Sequence, residues 1–183
     1  MTLDTFSNYL SWLSDNKPDE VAGWTYCVNL CVLANAIGCT SILELGQGWG
    51  WSSTAFATAL TGKPGASIDS VDQMPRMLGS CQNYVDSTRV EYRFHNCRAE
   101  EFVTDKMYDM VYIDLNSGYE GLRGIVSRYE RNLKSTGVYV LDGFGGEEGA
   151  TMLASERHFL PLFYCDKYGH AVSVPEALEA KVV

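Results

Sequence analysis

The sequence predicts a doubly wound α/β fold: a mostly parallel seven-stranded sheet, helices on both faces and an antiparallel hairpin at the C-terminus. Three observations predict it. Five short apolar segments, at 41–45, 66–71, 90–94, 110–113 and 138–141, alternate with stretches of helical periodicity. Strands separated by helices pair in parallel, because the crossover returns the chain to the starting end of the sheet. The two closing β-rich stretches, 160–165 and 171–174, are joined by Lys167-Tyr168-Gly169, which is too short for a crossover.

Taken in order, Leu3, Phe6, Leu10 and Leu13 recur at helical spacing, and Asp15-Asn16-Lys17-Pro18 ends that helix. A second helix spans about residues 20–37, with Gly38 at the C′ position that favours a left-handed residue. Segment 41–45 is a buried strand running into Gly46, Gly48 and Gly50, and a helix follows from Trp51 to the turn at 61–65. Strand 66–71 ends at Asp72, and Pro75 opens a helix carrying Met77, Leu78, Cys81 and Tyr84. After strand 90–94 come a loop and a short helix near Glu100. Strand 110–113 is flanked by Asp109 and Asp114; Tyr119, Leu122, Ile125, Val126, Tyr129 and Leu133 then share one helical face. Strand 138–141 ends at Asp142, and a Gly-rich loop at 143–149 and a helix over 147–158 precede the hairpin.

The length suits one domain, residues 1–183, with the helices of 1–38 as the only cap over a ligand site; Trp24 and Tyr26 are its candidate contacts. A net charge of −9, from 23 acidic against 14 basic residues, argues against a nucleic-acid partner. No apolar run reaches membrane-spanning length, and the N-terminus lacks the basic-then-apolar layout of a secretion signal, so no membrane partner and a cytoplasmic location are expected. The six cysteines form no C-x-x-C pair and read as small buried hydrophobes of a reducing compartment.

In such sheets ligands bind beyond the carboxyl ends of the strands, and here those ends carry Leu45-Gly46, Asp72, Asp114 and Asp142. The turn is spaced G-x-G-x-G rather than as a phosphate fingerprint, and Glu44 before it suits a cationic ligand better than a pyrophosphate. With these residues in view, the chain resembles the class I S-adenosylmethionine-dependent methyltransferases, of Rossmann-like fold. ILELGQGWGWSS is similar to their first motif, SVDQMP to the end of their second strand, and YDMVYIDLNSGYEG with GVYVLDGF to their fourth and fifth strands. Among subgroups it looks most like the small catechol- and caffeoyl-CoA-type O-methyltransferases and their minimal bacterial relatives, whose E-x-G-x-x-x-G-x-S turn is matched by Glu44, Gly46, Gly50 and Ser52.

The resemblance implies S-adenosylmethionine as cofactor and a small-molecule substrate. It implies that Gly46 and Gly48 line the methionine part, that Glu44 and Ser52 hold its amino-acid end, and that Asp72 and Gln73 take the ribose hydroxyls. The loop of Asn96, Cys97, Arg98 and Ala99 would wrap the adenine, and Asp114 would stand at the reaction centre. Plainer roles stay open: a helix cap for Asp72, an ion pair for Glu44, a surface charge for Arg98. Asp114 and Asp142 are the catalytic candidates. They are placed either to ligate a divalent cation, Mg or Ca, or for one of them to act as general base. Gly143 and Ser117 depart from the pattern of the metal-dependent members, which carry an Asn or Asp ligand and a Lys base there; Asn116 is a substitute oxygen ligand, and His158 a second candidate base.

The leading expectation is methylation of a small molecule, on oxygen. The alternatives are a cofactor-binding but non-catalytic module, and a nicotinamide-dependent oxidoreductase of the same architecture. A homodimer is compatible with either enzyme reading.

Overall fold

In the computed structural model, which describes residues 1–16, 21–144, 148, 151–153, 160–165 and 168–172, the period-two pattern of the strands sorts the core into two layers. The strands are β1 (Ser41–Leu45), β2 (Ser67–Asp72), β3 (Glu91–Asn96), β4 (Tyr108–Ile113), β5 (Leu133–Phe144), β6 (Leu160–Cys165) and β7 (Tyr168–Val172). The helices are α1 (Leu3–Asn16), α2 (Val21–Ala36), α3 (Trp51–Leu60), α4 (Gly79–Thr88) and α5 (Tyr119–Tyr129). Ile42, Ile68, Met110, Tyr112, Val138 and Val140 point to one face and pack with α1 to α4. Their neighbours Leu43, Leu45, Val111, Ile113, Tyr139 and Leu141 point to the other and pack with α5.

The sheet order is β3-β2-β1-β4-β5-β7-β6. β1 to β5 run parallel, and β7 pairs antiparallel with β5 and with β6. The parallel α/β architecture expected from the alternation is therefore present. Burial explains it: both faces are covered, so β1 reads as an unbroken buried run.

Several boundaries differ from the sequence expectation. Helix α4 begins at Gly79 rather than at Pro75, because the chain before it is held extended: Leu78 N–H donates to the Trp49 carbonyl at 3.0 Å. The short helix expected near Glu100 is a turn, in which Glu101 and Phe102 both donate to the Arg98 carbonyl. Leu133 lies on β5, in register with Tyr108, after a 3-10 turn at Glu130–Asn132 that ends α5. Tyr168 and Gly169, read as a joint, belong to β7. Gly38 has φ +79°, as a C′ residue should. Most of the Gly-rich loop and of the helix at 147–158, His158 included, lies outside the described residues; Glu148 and 151–153 are helical.

At the amino end of the sheet, Asp109 Oδ2 accepts from the backbone and side chains of Thr40 and Ser41, at 2.9 to 3.0 Å. Lys134 pairs with its other oxygen at 2.8 Å. These partners overcome the cost of burial and hold the carboxyl at about 2. On β2, nearly buried Asp69 is gripped by Lys106 at 2.5 Å and His95 at 3.0 Å. His95 is thereby engaged away from the site described next.

Candidate functional site

Strand order reverses between β1 and β4, so the helices after them diverge and leave a crevice at the carboxyl edge. It has a volume of about 460 Å³ and is lined by Gly46 and Gly48 after β1, Asp72, Gln73 and Arg76 after β2, Arg98, Ala99 and Glu100 after β3, and Asp114 to Ser117 after β4. The structure thus brings together Gly46, Gly48, Asp72, Gln73, Arg98 and Asp114 from the sequence candidates. Cys97, half-buried, is beside this lining rather than in it. None of the lining residues comes from 1–38.

The three glycines of the turn have different reasons to be glycine. All have positive φ, at +93°, +51° and +90° for Gly46, Gly48 and Gly50. A Cβ at Gly46 would lie 1.9 Å from the Asp114 carbonyl oxygen, so the two strand ends meet through bare main chain. At Gly50 it would press on Met77 Cγ at 2.6 Å, whereas at Gly48 it would meet nothing within 4 Å. Gly48 therefore leaves its backbone open to the crevice.

Asp72 is fixed by that turn. Its Oδ2 accepts the N–H of Gln47 at 3.1 Å and of Gly48 at 3.0 Å, and Oδ1 accepts the N–H of Met74 at 2.9 Å. It does not cap α4, which starts seven residues on, at Gly79. Oδ2 has both lone-pair sites occupied, and Oδ1, with one bond, keeps acceptor capacity for a ligand hydroxyl.

Glu44 takes a place the sequence did not suggest. It is fully buried and shares a face with Ser70, its register partner on β2. Its oxygens accept from Ser52 Oγ at 2.6 Å, Ser53 Oγ at 2.7 Å and Ser70 Oγ at 2.5 Å. Burial raises its pKa, and the three hydroxyls oppose that shift. Glu44 and Ser52 face each other beneath the turn and not the crevice, so the ion pair considered for Glu44 is replaced by a hydroxyl cage.

Asp114 opens onto the crevice, and Asp142 lies beside it because Ile113 and Leu141 are in register on β4 and β5. Close packing around its carboxyl, and then the like charges of Asp142 and Glu44, push Asp114 well above the usual carboxylate range. Beneath the pair the Tyr26 hydroxyl of α2 meets the Tyr112 hydroxyl of β4. Burial and the two nearby aspartates raise both phenols, which keeps them neutral.

Among the described residues, no three His, Cys, Asp or Glu side chains come together to hold a metal. Asp114, Asp142 and Asn116 offer fewer oxygens than the six to eight that Ca takes, whereas Mg, which keeps several waters, needs only one or two carboxylates. Position 143, where a further ligand was sought, is glycine.

Arg76, Gln47 and Tyr92 were not singled out in the sequence. Arg76 reaches the crevice only because residues 73–78 stay irregular, and Gln47 and Tyr92 meet only through the pairing of β2 with β3.

No protein-family model matches the chain, and no curated protein matches it. Solved structures do. The chain is similar to the cofactor-bound protein Rv0187 from MTB, with 16% identity and a TM-score of 0.68 over 95% of this chain and 90% of that one. It is similar to the SAH-bound methyltransferase PaMTH1 of Podospora anserina, with 14% identity and a TM-score of 0.64 over 94% and 88% of the two chains. The O-methyltransferase TomG of Streptomyces achromogenes, in complex with SAM, shares 16% identity and a TM-score of 0.62 over 96% and 91%. At these identities the likeness is one of fold, a Rossmann-like α/β sheet.

Proposed function

We propose that the protein is an S-adenosylmethionine-dependent methyltransferase acting on a small molecule, with oxygen as the acceptor atom. One observation carries the reading: Asp72, tied by three backbone N–H groups at a strand end, shares a crevice with the open main chain of Gly48 and with Asp114. That arrangement fits a nucleoside with two ribose hydroxyls and a cationic sulfur. The similarity in fold to solved structures that hold SAM or SAH adds to it. The acidic balance of the chain favours a small molecule over nucleic acid.

When bound, the cofactor would supply an electrophilic methyl group, whose bond to sulfur breaks as the acceptor's bond to its carbon forms in line, the neutral thioether being the leaving group. On the protein's side, Asp72 and Gln73 take the ribose hydroxyls, Gly46 and Gly48 offer main chain, and Arg98 with Cys97 flanks the base. Gly50, Ser52 and Glu44 frame the turn from beneath. Asp114 and Asp142 stand side by side at the strand ends, and one of them, as general base, takes the proton of the acceptor hydroxyl. The raised pKa of Asp114 makes its ionised form a stronger base than an ordinary carboxylate. Tyr26 brings α2 beneath this pair, which supports reading residues 1–38 as part of a single domain spanning 1–183. The β6–β7 pair is read as the terminal hairpin of the seven-stranded form. Among the described residues Cys27, Cys31, Cys39, Cys81 and Cys97 are free thiols, which supports a cytoplasmic location.

Calorimetry with S-adenosylmethionine and S-adenosylhomocysteine tests the reading, and failure of both to bind at millimolar concentration refutes it. Ser117, where metal-dependent relatives are expected to carry a Lys base, favours a binding-only protein as second reading. A labelled methyl group transferred to any member of a phenol, acid and amine panel excludes that one.

A further inference from the structure

Gln47 stands in the β1–α3 turn, where side chains are ordinarily solvated, yet it is only 4% exposed. A buried primary amide without partners is costly, so what holds this one bears on the turn. Its Nε2 donates to the Tyr92 hydroxyl on β3 and lies 3.6 Å from Met77 Sδ. Its main-chain N–H donates elsewhere, to Asp72 Oδ2 at 3.1 Å, beside the Gly48 N–H at 3.0 Å. One residue is therefore gripped from two strands, its side chain by β3 and its backbone by the end of β2.

The chain of donors continues inward. The Tyr92 hydroxyl is 3.4 Å from Ser53 Oγ, which itself donates to Glu44 Oε2 at 2.7 Å. Direction is consistent along it: Gln47 donates to Tyr92, Tyr92 to Ser53, and Ser53 to Glu44. A carboxylate at the end polarises every bond before it, and the low-dielectric interior strengthens the series. Burial and the charge of Glu44 push the Tyr92 phenol up to about 12, so it keeps its proton at ordinary pH.

We infer that Gln47 and Tyr92 are positioning residues that lock the glycine turn onto Asp72, and that through this lock they set the affinity of the crevice for its nucleoside ligand. The identity of that ligand rests on the reading under Proposed function; the lock is a property of the free protein.

The test uses Tyr92→Phe, Gln47→Leu and the double variant of the full chain, with Thr58→Val as a control for loss of a buried hydroxyl contact elsewhere on α3. Amide exchange of Gln47 and Gly48 is followed in the free proteins, and S-adenosylmethionine affinity by calorimetry. Each single variant is expected to speed exchange of those two amides at least tenfold, with core amides of β1 and β4 unchanged, and to raise Kd about tenfold, the double variant being no worse than either single. The control should leave both readouts alone. Wild-type exchange at Gln47 and Gly48 in the variants, additive losses in the double variant, or equal losses in the control would each overturn the inference. Should the unaltered chain bind no S-adenosylmethionine, the functional reading falls, and the exchange data alone still decide the lock.

Discussion

Replacing Gly46, Gly48 and Gly50 by alanine, one at a time, separates backbone strain from steric contact in a single turn. At Gly48 only the left-handed φ of +51° opposes a side chain, since a Cβ there meets nothing. Positive φ costs an L-residue about 1–2 kcal/mol, and the stiffer unfolded chain returns about half of that, leaving about 1 kcal/mol. At Gly50 the added Cβ displaces the flexible Met77 side chain as well, for about 2 kcal/mol. At Gly46 the obstacle is backbone: the Asp114 carbonyl oxygen 1.9 Å away must retreat by more than 1 Å to reach the 3.4 Å of ordinary contact. That movement strains the bonds from Asp114 N–H to Leu45 at 2.8 Å and from Gly46 N–H to Val71 at 2.9 Å. Each is worth about 1 kcal/mol, so with the φ term Gly46→Ala loses about 3 kcal/mol of a total of about 5–15. In urea, with an m-value of about 2 kcal/mol/M, the midpoint should fall by about 1.5 M for Gly46→Ala, 1 M for Gly50→Ala and 0.5 M for Gly48→Ala. A Gly46 variant as stable as the Gly48 variant would refute the close approach of the two strand ends.

Asp109 links stability to acid. Its folded pKa of about 2 lies below the unfolded value of about 4, so its contribution is present above pH 4 and lost as pH falls toward 2; Asp109→Asn should flatten that limb of the stability curve by about 2 kcal/mol, read by denaturation at stepped pH. On the proposed reading, Asp72→Asn removes charged acceptors from the ribose hydroxyls, and calorimetry should show S-adenosylmethionine affinity down at least tenfold. Asp114→Asn should lower kcat by about 10²–10⁴ while cofactor Kd moves less than tenfold; equal losses in both would assign Asp114 to binding instead.

β1, β2 and β4 were legible because each is a buried run with a polar residue at its end. Asp72, Asp114 and the glycines were legible for the same reason, as parallel strands deliver their carboxyl ends to one edge. The start of α4 was not, because Pro75 is a good helix opener, whereas the bonds from Leu78 to Trp49 and from Met74 to Asp72 tie residues 74–78 outside the helix. Leu133 fitted the α5 periodicity equally well, and its pairing with Tyr108 decided otherwise.

The clearest division runs through Glu44. By itself the sequence determined that a carboxylate precedes a glycine turn at the end of a buried strand, because hydrophobic alternation and glycine spacing are local properties. Whether that carboxylate faces a ligand or the interior was decided by tertiary structure alone. Register sets Ser70 opposite it, the first turn of α3 brings Ser52 and Ser53 over it, and three hydroxyls turned inward leave Asp72, rather than Glu44, as the anion presented to the crevice.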